Sequence, residues 1–491
     1  MRNITTVVNH PVIKKTIRLS VFTLLLSVVF FSCRKEEQIT TDSSAKLTFS
    51  TDTVWFDTVF VQSGTNQPLS VTKRLWVYNP NADAVKVNIA LKGNQYGVYK
   101  INIDGQPSNT VSGKVIRGKD SLIIFVQMYV DASGLNDPTK PFIVADEIDF
   151  TTNGNAQLVN IMGYARKANY LRNAVLDCSS NSLHWTPGIP YVIYDSILVP
   201  HGCTLTIDAG THIYSHVKSC ILVSGTLIVN GTTENPVIFE GDRLEPDYAT
   251  IPGQWIGIRF LTNSKDNVIK NGVIKNGFIG VEVDSFSNNQ NPKLLLQQSI
   301  IENMTAYGLA GFSADIVAIN NLITNCGNYS FIGALGGNYH LYHNTIATFG
   351  NTFNRTTRTF ILDNSPYTDA SGNNIIAAFP LNFDLKNNII YGSQDDEILL
   401  NTNSSGGNTT GKGYFQNCIL KTLDYAGSNS LGNTTFNNII NKDPKFNDYT
   451  KNDLDISSSS PAKGKGIYLN TSIDLKGRSR NSSTPTIGCY E

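Results

Sequence analysis

A five-residue pattern recurs in the C-terminal half of the chain, and its spacing constrains the fold more than any other feature. The pattern reads GVIKN at 272–276, SIIEN at 299–303, NLITN at 321–325 and NTIAT at 344–348. A polar insert at 285–293 accounts for the longest interval. A repeat of roughly 22 residues without helical periodicity predicts one coil of a parallel β-helix, with three short strands and three turns. Leucine-rich repeats have a similar length, but they need a dense leucine lattice that this sequence lacks.

The asparagines of this pattern have a structural explanation. Coils of a β-helix stack about 4.8 Å apart, so equivalent side-chain amides are close enough to hydrogen-bond along the stack. Asparagine also tolerates the left-handed backbone that a tight turn between strands requires. We therefore predict that these asparagines are structural rather than functional.

Short motifs near the C-terminus extend the pattern. They are DPKF at 443–446, SPA at 460–462, DLKGR at 474–478 and IGCYE at 487–491. With the repeat, they resemble the C-terminal signature of bacterial surface proteins that contain a right-handed parallel β-helix of the pectate-lyase type. Lys463 and Lys465 depart from that signature. The resemblance extends from about residue 195 to the C-terminus and implies a fold, whereas a fold alone does not define an activity.

The N-terminal part of the chain has a different pattern. Residues 47–166 contain short alternating segments, such as VWFDTVFV at 54–61, separated by turn signals. This pattern predicts an antiparallel β-sandwich and resembles the Ig-like modules that precede many surface domains. The predicted fold class is therefore all-β. It comprises a sandwich at 47–166, a linker at 167–190, a right-handed parallel β-helix (a solenoid) at 191–445 and a C-terminal cap segment at 446–491.

The beginning of the chain resembles a lipoprotein leader. An apolar segment at 21–31 follows a basic stretch and ends at Ser32 and Cys33. This segment is too short to span a membrane, which takes about 20 residues, but it has the length of a signal-peptide core. The junction resembles the lipobox of bacterial lipoproteins, in which the cysteine is acylated and becomes the new N-terminus. We therefore predict a signal peptide at 1–32, lipidation of Cys33 and a flexible tether at 33–46; an ordinary secretory signal with a chance cysteine is the alternative.

The charges directly after Cys33 bear on localisation. The segment CRKEE at 33–37 resembles the lysine-plus-acidic export tag that carries some Gram-negative lipoproteins to the outer face of the outer membrane. We therefore expect a lipid-anchored outer-membrane protein at the cell surface of a Gram-negative bacterium, with a solvated leader as the alternative. The sequence leaves open which face of the outer membrane carries the protein.

The net charge of the chain bears on the class of partner that it can bind. Removal of residues 1–32 leaves 35 basic and 39 acidic side chains, a net charge of −4. This balance argues against a nucleic-acid partner, because phosphate binding needs clustered Lys and Arg.

Six cysteines follow Cys33, and an even number outside the cytoplasm permits disulfides. Several of them lie among apolar strand residues, where buried free thiols are equally compatible, so the pairing stays open.

A candidate ligand-binding surface follows from the resemblance, because substrates of these β-helix families lie along the groove over one strand face. We place the strands of this face at 255–260, 278–284 and 306–310. Alignment of their glycines directs Trp255 and Phe278 outward on neighbouring coils. The two rings are candidates for a sugar-binding platform.

Charged residues flank this predicted platform. Arg259 lies one coil from Glu282 and Asp284, and these three are candidate electrostatic, acid and base groups for a polysaccharide lyase or glycoside hydrolase. Sheets also use an aromatic pair beside an ion pair to cover an exposed face. A structural role for these residues is therefore the alternative.

Three functions are compatible with these observations. The first is a surface lipoprotein whose β-helix binds a polysaccharide or a surface protein. The second is an enzyme, a polysaccharide lyase or glycoside hydrolase acting in the groove. Only a lyase would need Ca²⁺, and the sequence otherwise indicates no cofactor and no metal site. The third is a non-catalytic structural or adhesive scaffold. The sequence favours binding over catalysis, because the strings typical of the enzymes are missing from the coils.

Overall fold

The structure is a computed structural model that describes residues 37–61, 72–93, 98–129, 142–350, 352–365, 367–368, 371–372, 374–375, 379–401, 413–427 and 436–491. The predicted signal peptide and Cys33 lie outside these residues. Within the described ranges, no helix has the length and hydrophobicity of a membrane span. The described residues divide into two compact units: one contains 37–56, 72–93, 98–129 and 144–162, and the other contains 57–61, 142–143 and the described residues from 163 to 491.

The N-terminal strands form two five-stranded sheets. In sheet order, the first contains Thr48–Phe49, Thr72–Tyr78, Ser121–Met128, Tyr99–Ile103 and Gln106–Pro107, and the second contains Thr53–Val61, Asn155–Lys167, Phe142–Thr152, Val85–Leu91 and Thr110–Ile116. Val85–Leu91 buries every second side chain, as a strand with one face on a core must. The two sheets meet where the ring centroids of Phe49 and Phe150 lie 4.7 Å apart. These sheets form the predicted sandwich.

The described part of the predicted tether contacts the sandwich, which corrects the prediction of a flexible segment. Ile39 forms a parallel bridge with Ala84. The Asn153 side-chain amide donates to the Thr40 carbonyl at 2.9 Å. Ala45 is buried at 3% exposure. The polar composition of the segment concealed these contacts, because several of them are accepted by backbone carbonyls, which every residue carries.

The remaining strands form a single 25-stranded parallel sheet that winds through three faces. The first face contains Cys220–Val223, Gly257–Phe260, Ile279–Asp284, Phe360–Asp363 and Ile398–Asn401. The second contains Ser182–Trp185, Thr204–Asp208, Thr226–Asn230, Asn267–Lys270, Leu294–Gln297, Leu381–Lys386 and Gly413–Gln416. The third contains His212–Ser215, Val237–Gly241, Gly272–Lys275, Ile300–Met304, Leu322–Cys326, Thr345–Thr348, Ile389–Gly392, Ile419–Leu420 and Ile439–Ile440. Long strands that bend between two faces are Asn169–Val175, Tyr191–Val199, Tyr307–Ile319 and Tyr329–Tyr342.

This arrangement is a parallel β-helix, so the predicted all-β fold class is confirmed. Each strand pairs with the strand one coil further along, as in the pairing of Ile258 with Val281 and of Val281 with Leu309. The helix begins earlier than expected, because Asn169–Val175 and Ser182–Trp185 lie in the predicted linker and already belong to the parallel sheet. Short hairpins, Tyr367–Thr368 with Asn374–Ile375 and Phe446–Asp448 with Asp453–Ile456, and 3-10 turns at Pro246–Tyr248 and Tyr449–Lys451, lie outside it.

Apolar side chains stacked in columns fill the β-helix. One column runs through Ile221, Ile258, Val281, Leu309 and Phe331, each at most 1% exposed. Each such side chain contributes roughly 1.5–3 kcal/mol when it is removed from water. The interior therefore supplies the stability of this unit, and function is to be sought on its outer surfaces.

Asparagine ladders form at two corners of the coils, as predicted. At one corner, the Asn321 amide donates to Asn344 Oδ1 at 2.9 Å, and the Asn344 amide donates to Asn388 Oδ1 at 3.0 Å. At the other corner, Asn303 donates to Asn276 Oδ1 at 3.0 Å. Asn276 and Asn303 have φ values of 62° and 58°, so the predicted left-handed turns are confirmed.

The C-terminal segment, predicted as a cap, lies along the outer surface of the third face. Its Ile487 and Cys489 are buried against Leu322 and Ile389 of that face. Arg478 Nε donates to Asp474 Oδ2 at 2.6 Å, and the backbone amide of Glu491 donates to the same carboxylate at 2.9 Å. The DLKGR and IGCYE motifs therefore contact each other. The segment covers an apolar strip that the coils alone would leave in water.

The described cysteines comprise one disulfide and four free thiols. Cys178 and Cys203 form a disulfide. The other cysteines in the described part of the chain are buried free thiols: Cys220, Cys326, Cys418 and Cys489. The single bridge joins the segment before the strand Ser182–Trp185 to the next coil.

Candidate functional site

The strands predicted for the binding face stack in the predicted register. Arg259 pairs with Glu282, and Glu282 pairs with Ala310 on the following coil. Asp284 pairs with Phe312. The three candidate charged residues therefore lie together on the outer surface of the first face.

The predicted aromatic platform does not form. Trp255 is 1% exposed, and its indole Nε1 donates to the Lys275 carbonyl at 2.9 Å. It bridges to Gly277 instead of Phe278, which is 47% exposed. The strand begins only at Gly257, so Trp255 lies in the preceding turn, where the inward–outward alternation of a strand does not apply. Trp255 is a core residue, and the prediction that it points outward was wrong.

The candidate acid and base groups form an ion-pair cluster. Arg259 Nη2 lies 2.5 Å from Glu282 Oε1 and 3.6 Å from Asp284 Oδ2. Glu282 is only 7% exposed. Burial raises the pKa of the Glu282 carboxyl, and the positive charge of Arg259 opposes that rise. The pKa of this carboxyl therefore lies above its ordinary value.

The surroundings of this cluster are poor in further catalytic groups. The next residue in the Glu282 column is Ala310, followed by Ile332. Glycoside hydrolysis uses two carboxyl groups on either side of the scissile bond, whereas Glu282 and Asp284 share one guanidinium. Calcium takes six to eight oxygen ligands, and within the described ranges no group of three or more His, Cys, Asp or Glu residues is arranged to hold a metal. The cluster does not fit the Ca²⁺ site that a lyase would need.

A stacked tyrosine pair on the same face escaped the sequence analysis. The rings of Tyr307 and Tyr329 lie 5.8 Å apart and are within 5° of parallel. Both are half-buried and occupy the column that begins with Ile279. In the sequence, each tyrosine precedes the residue aligned with Gly280. The strand register could therefore have placed the two rings at equivalent positions on neighbouring coils.

An open cavity of about 590 Å³ lies between the third face and the C-terminal segment. Four aromatic side chains line it: Phe349, Tyr391, Phe446 and Tyr449. The rings of Phe349 and Tyr449 are stacked with centroids 4.6 Å apart, and Phe446 meets Phe349 edge-on at 6.0 Å. Tyr449 is 48% exposed, so the cavity presents aromatic surface to solvent.

Polar groups of the same cavity lie beside the aromatic rings. Lys421 Nζ donates to the Gly392 carbonyl at 2.8 Å and lies 5.1 Å from the centre of the Tyr391 ring. Lys445 and Asp443 form an ion pair at 2.9 Å. Burial raises the pKa of the Tyr391 hydroxyl, and the nearby Asp443 carboxylate adds to that rise. The hydroxyl therefore stays protonated at neutral pH and is a potential hydrogen-bond donor.

This cavity is not predictable from the sequence alone. Phe349 and Tyr391 belong to two different coils of the β-helix, whereas Phe446 and Tyr449 belong to the C-terminal segment. The contact between the two depends on where that segment docks, and no repeat predicts its docking position. The DPKF motif was the available signal, because it contains three residues of the lining, Asp443, Lys445 and Phe446.

Comparisons with known proteins give weak similarities only. No protein-family profile and no curated protein matches the sequence. The catalytic unit of a GH87 alpha-1,3-glucanase from Streptomyces thermodiastaticus is 12% identical, with 72% of this chain and 86% of that chain covered and a TM-score of 0.23. The Agl-KA catalytic domain is 12% identical over 71% of this chain and 81% of its own, with a TM-score of 0.22. The CooA pilin subunit from enterotoxigenic Escherichia coli is 14% identical over 25% of this chain and 97% of its own, with a TM-score of 0.18. Matches at this level establish neither a family nor an activity.

Proposed function

We propose that the protein is an outer-membrane lipoprotein, displayed at the cell surface, that binds a polysaccharide in the aromatic cavity without cleaving it. The observation that carries this proposal is the 590 Å³ cavity with four aromatic side chains and a few polar groups at its edge. Small-molecule sites have volumes of roughly 300–1,000 Å³ and combine apolar walls with a small number of polar groups. Aromatic faces provide large contact areas, and the hydroxyls of Tyr391 and Tyr449 supply polar contacts.

The proposed anchor and location rest on the leader sequence and on the disulfide. Ser32 and Cys33 resemble a lipobox junction. The Cys178–Cys203 disulfide supports export, because such bridges persist outside the reducing cytoplasm. Substitution Cys33→Ser should abolish incorporation of labelled fatty acid and release the protein from membranes. Protease treatment of intact cells should degrade the wild-type protein; protection from protease would place it on the periplasmic face.

Binding is tested with a glycan array and the full chain purified in detergent. Tyr449→Ala removes half-exposed stacking surface and should weaken binding to any hit by roughly tenfold. Phe278→Ala is the matched control, since Phe278 is a similarly exposed aromatic residue outside the cavity. Equal losses in both variants would contradict the cavity as the site. If no glycan binds at all, a protein partner or a purely structural scaffold becomes the better explanation.

A second candidate function, polysaccharide cleavage, is favoured by the cluster of Arg259, Glu282 and Asp284 on the outer surface of the first face, in which burial raises the pKa of the Glu282 carboxyl. A carboxyl whose pKa lies above its ordinary value is suited to act as a general acid. Each array hit should therefore be incubated for hours and examined by mass spectrometry for shortened or unsaturated products. Products that disappear in Glu282→Gln, with binding retained, would establish the enzyme; their absence with the wild-type protein supports binding alone.

A further inference from the structure

Lys421 is a cation without a counter-charge at the edge of the aromatic cavity. Its ammonium group is held by the Gly392 carbonyl and by the face of the Tyr391 ring. The residue is only partly exposed. Several other described lysines form salt bridges, whereas no described carboxylate pairs with Lys421; examples are Lys92, Lys114, Lys275, Lys386, Lys445, Lys451 and Lys476.

The other charges of the cavity do not neutralise Lys421. Asp443 pairs with Lys445 at 2.9 Å, so these two charges offset each other. Three charged side chains line the cavity, two basic and one acidic, and the net charge of the lining is +1. Partly buried charges in proteins are normally paired, because removing an ion from water is unfavourable. The unpaired ammonium beside an open cavity is therefore a position for an anion supplied from outside.

We infer that the ligand of this cavity is an acidic saccharide, whose sugar ring packs on the aromatic side chains while its anionic substituent binds Lys421. This inference rests on the proposed function and adds the chemical class of the ligand. A carboxylate of a uronic acid and a sulfate ester share the required chemistry.

The test uses isothermal titration of the full chain with three oligosaccharides of equal length: one neutral, one containing uronic acid and one sulfated. The wild-type protein should bind at least one acidic oligosaccharide roughly tenfold more tightly than the neutral one. Lys421→Met should remove that preference while leaving the affinity for the neutral oligosaccharide within about twofold. Lys421→Arg keeps the charge and should retain the preference. Lys265→Met, at an exposed lysine away from the cavity, is the control and should behave like the wild-type protein.

The outcomes separate this inference from the proposed function. Equal affinity for neutral and acidic oligosaccharides, abolished by Tyr449→Ala, would overturn the acidic ligand and leave glycan binding intact. A preference that survives Lys421→Met would also overturn the inference. A difference between the uronate and the sulfate identifies the source of the anion. Binding of none of the three, with a native melting curve, would overturn the proposed function and the inference together.

Discussion

The imidazole Nε2 of His343 lies 2.9 Å from the side-chain amide nitrogen of Asn387 one coil away, in an otherwise asparagine-rich column. His343, Asn320 and Asn387 all have left-handed backbones, with φ values of 55°, 61° and 55°. The imidazole is completely buried. Histidine thus occupies a position where neighbouring coils place asparagine, and it is a titratable group inside the fold.

This position predicts a loss of stability in acid. Burial, with the nearby Arg480 guanidinium, lowers the pKa of His343 to about 3, whereas an unfolded histidine titrates near about 6.5. Below the unfolded value, the unfolded chain binds a proton that the folded chain does not. Stability is therefore lost as the pH falls from about 6.5 towards about 3, and over this range the loss is on the order of a few kcal/mol.

The variant His343→Asn isolates this effect. It should keep the left-handed turn and lose the acid-dependent part of the unfolding free energy. The measurement is urea denaturation of the wild-type protein and the variant at several pH values between 4 and 8. Parallel pH dependence of the two proteins would show that His343 is not the responsible group.

A second prediction concerns the ion pair of Arg355 and Glu397, whose side chains have no exposed surface. The guanidinium binds both carboxylate oxygens, at 2.8 and 2.6 Å. Glu397→Gln leaves a buried cation without its counter-charge, which typically costs about 3–5 kcal/mol. Urea denaturation at neutral pH measures this loss. The exposed pair of Lys92 and Glu147 is the control, and Glu147→Gln should change stability little. A small loss in Glu397→Gln would indicate that water reaches the guanidinium.

The fold could be predicted from the sequence because its determinants are local and repeated. Asn276 and Asn303 recur at equivalent positions, and a stacked amide ladder satisfies the same hydrogen bonds on each coil. The register of Arg259 with Glu282 followed from the same periodicity. Within a strand, the side-chain alternation is fixed by backbone geometry, so this part of the candidate site was correctly placed.

The errors arose where the backbone leaves the strand. Trp255 precedes the strand Gly257–Phe260, and in that turn its side chain enters the core. The aromatic cavity was missed for a different reason. Tyr449 reaches Phe349 only because the C-terminal segment docks across the third face, a contact between residues 100 positions apart in the chain. Such a long-range contact leaves no periodic signal in the sequence.

A third prediction tests the asparagine ladder. The Asn344 amide donates to the Ala318 carbonyl at 2.9 Å as well as to Asn388, and its Oδ1 accepts from Asn321. Asn344→Ala leaves several of these buried groups without partners, and we expect a loss of about 2–4 kcal/mol in unfolding free energy. Asn338→Ala is the control, because Asn338 is half-exposed on the second face and should cost less than about 1 kcal/mol. Similar losses in both variants would contradict a special role for the ladder.

The last prediction concerns thiol reactivity and is measured on a chain carrying Cys33→Ser. Burial raises the pKa of the four free thiols, those of Cys220, Cys326, Cys418 and Cys489, to about 12. Because the thiolate is the reactive form, iodoacetamide at about pH 8 should label none of them in the native protein and all four after denaturation. Cys178 and Cys203 should be labelled only after denaturation together with reduction, and reduction should lower the unfolding free energy by roughly 3 kcal/mol. Labelling of Cys178 without a reductant would contradict the disulfide, and rapid labelling of Cys418 in the native protein would show that the last coils open in solution.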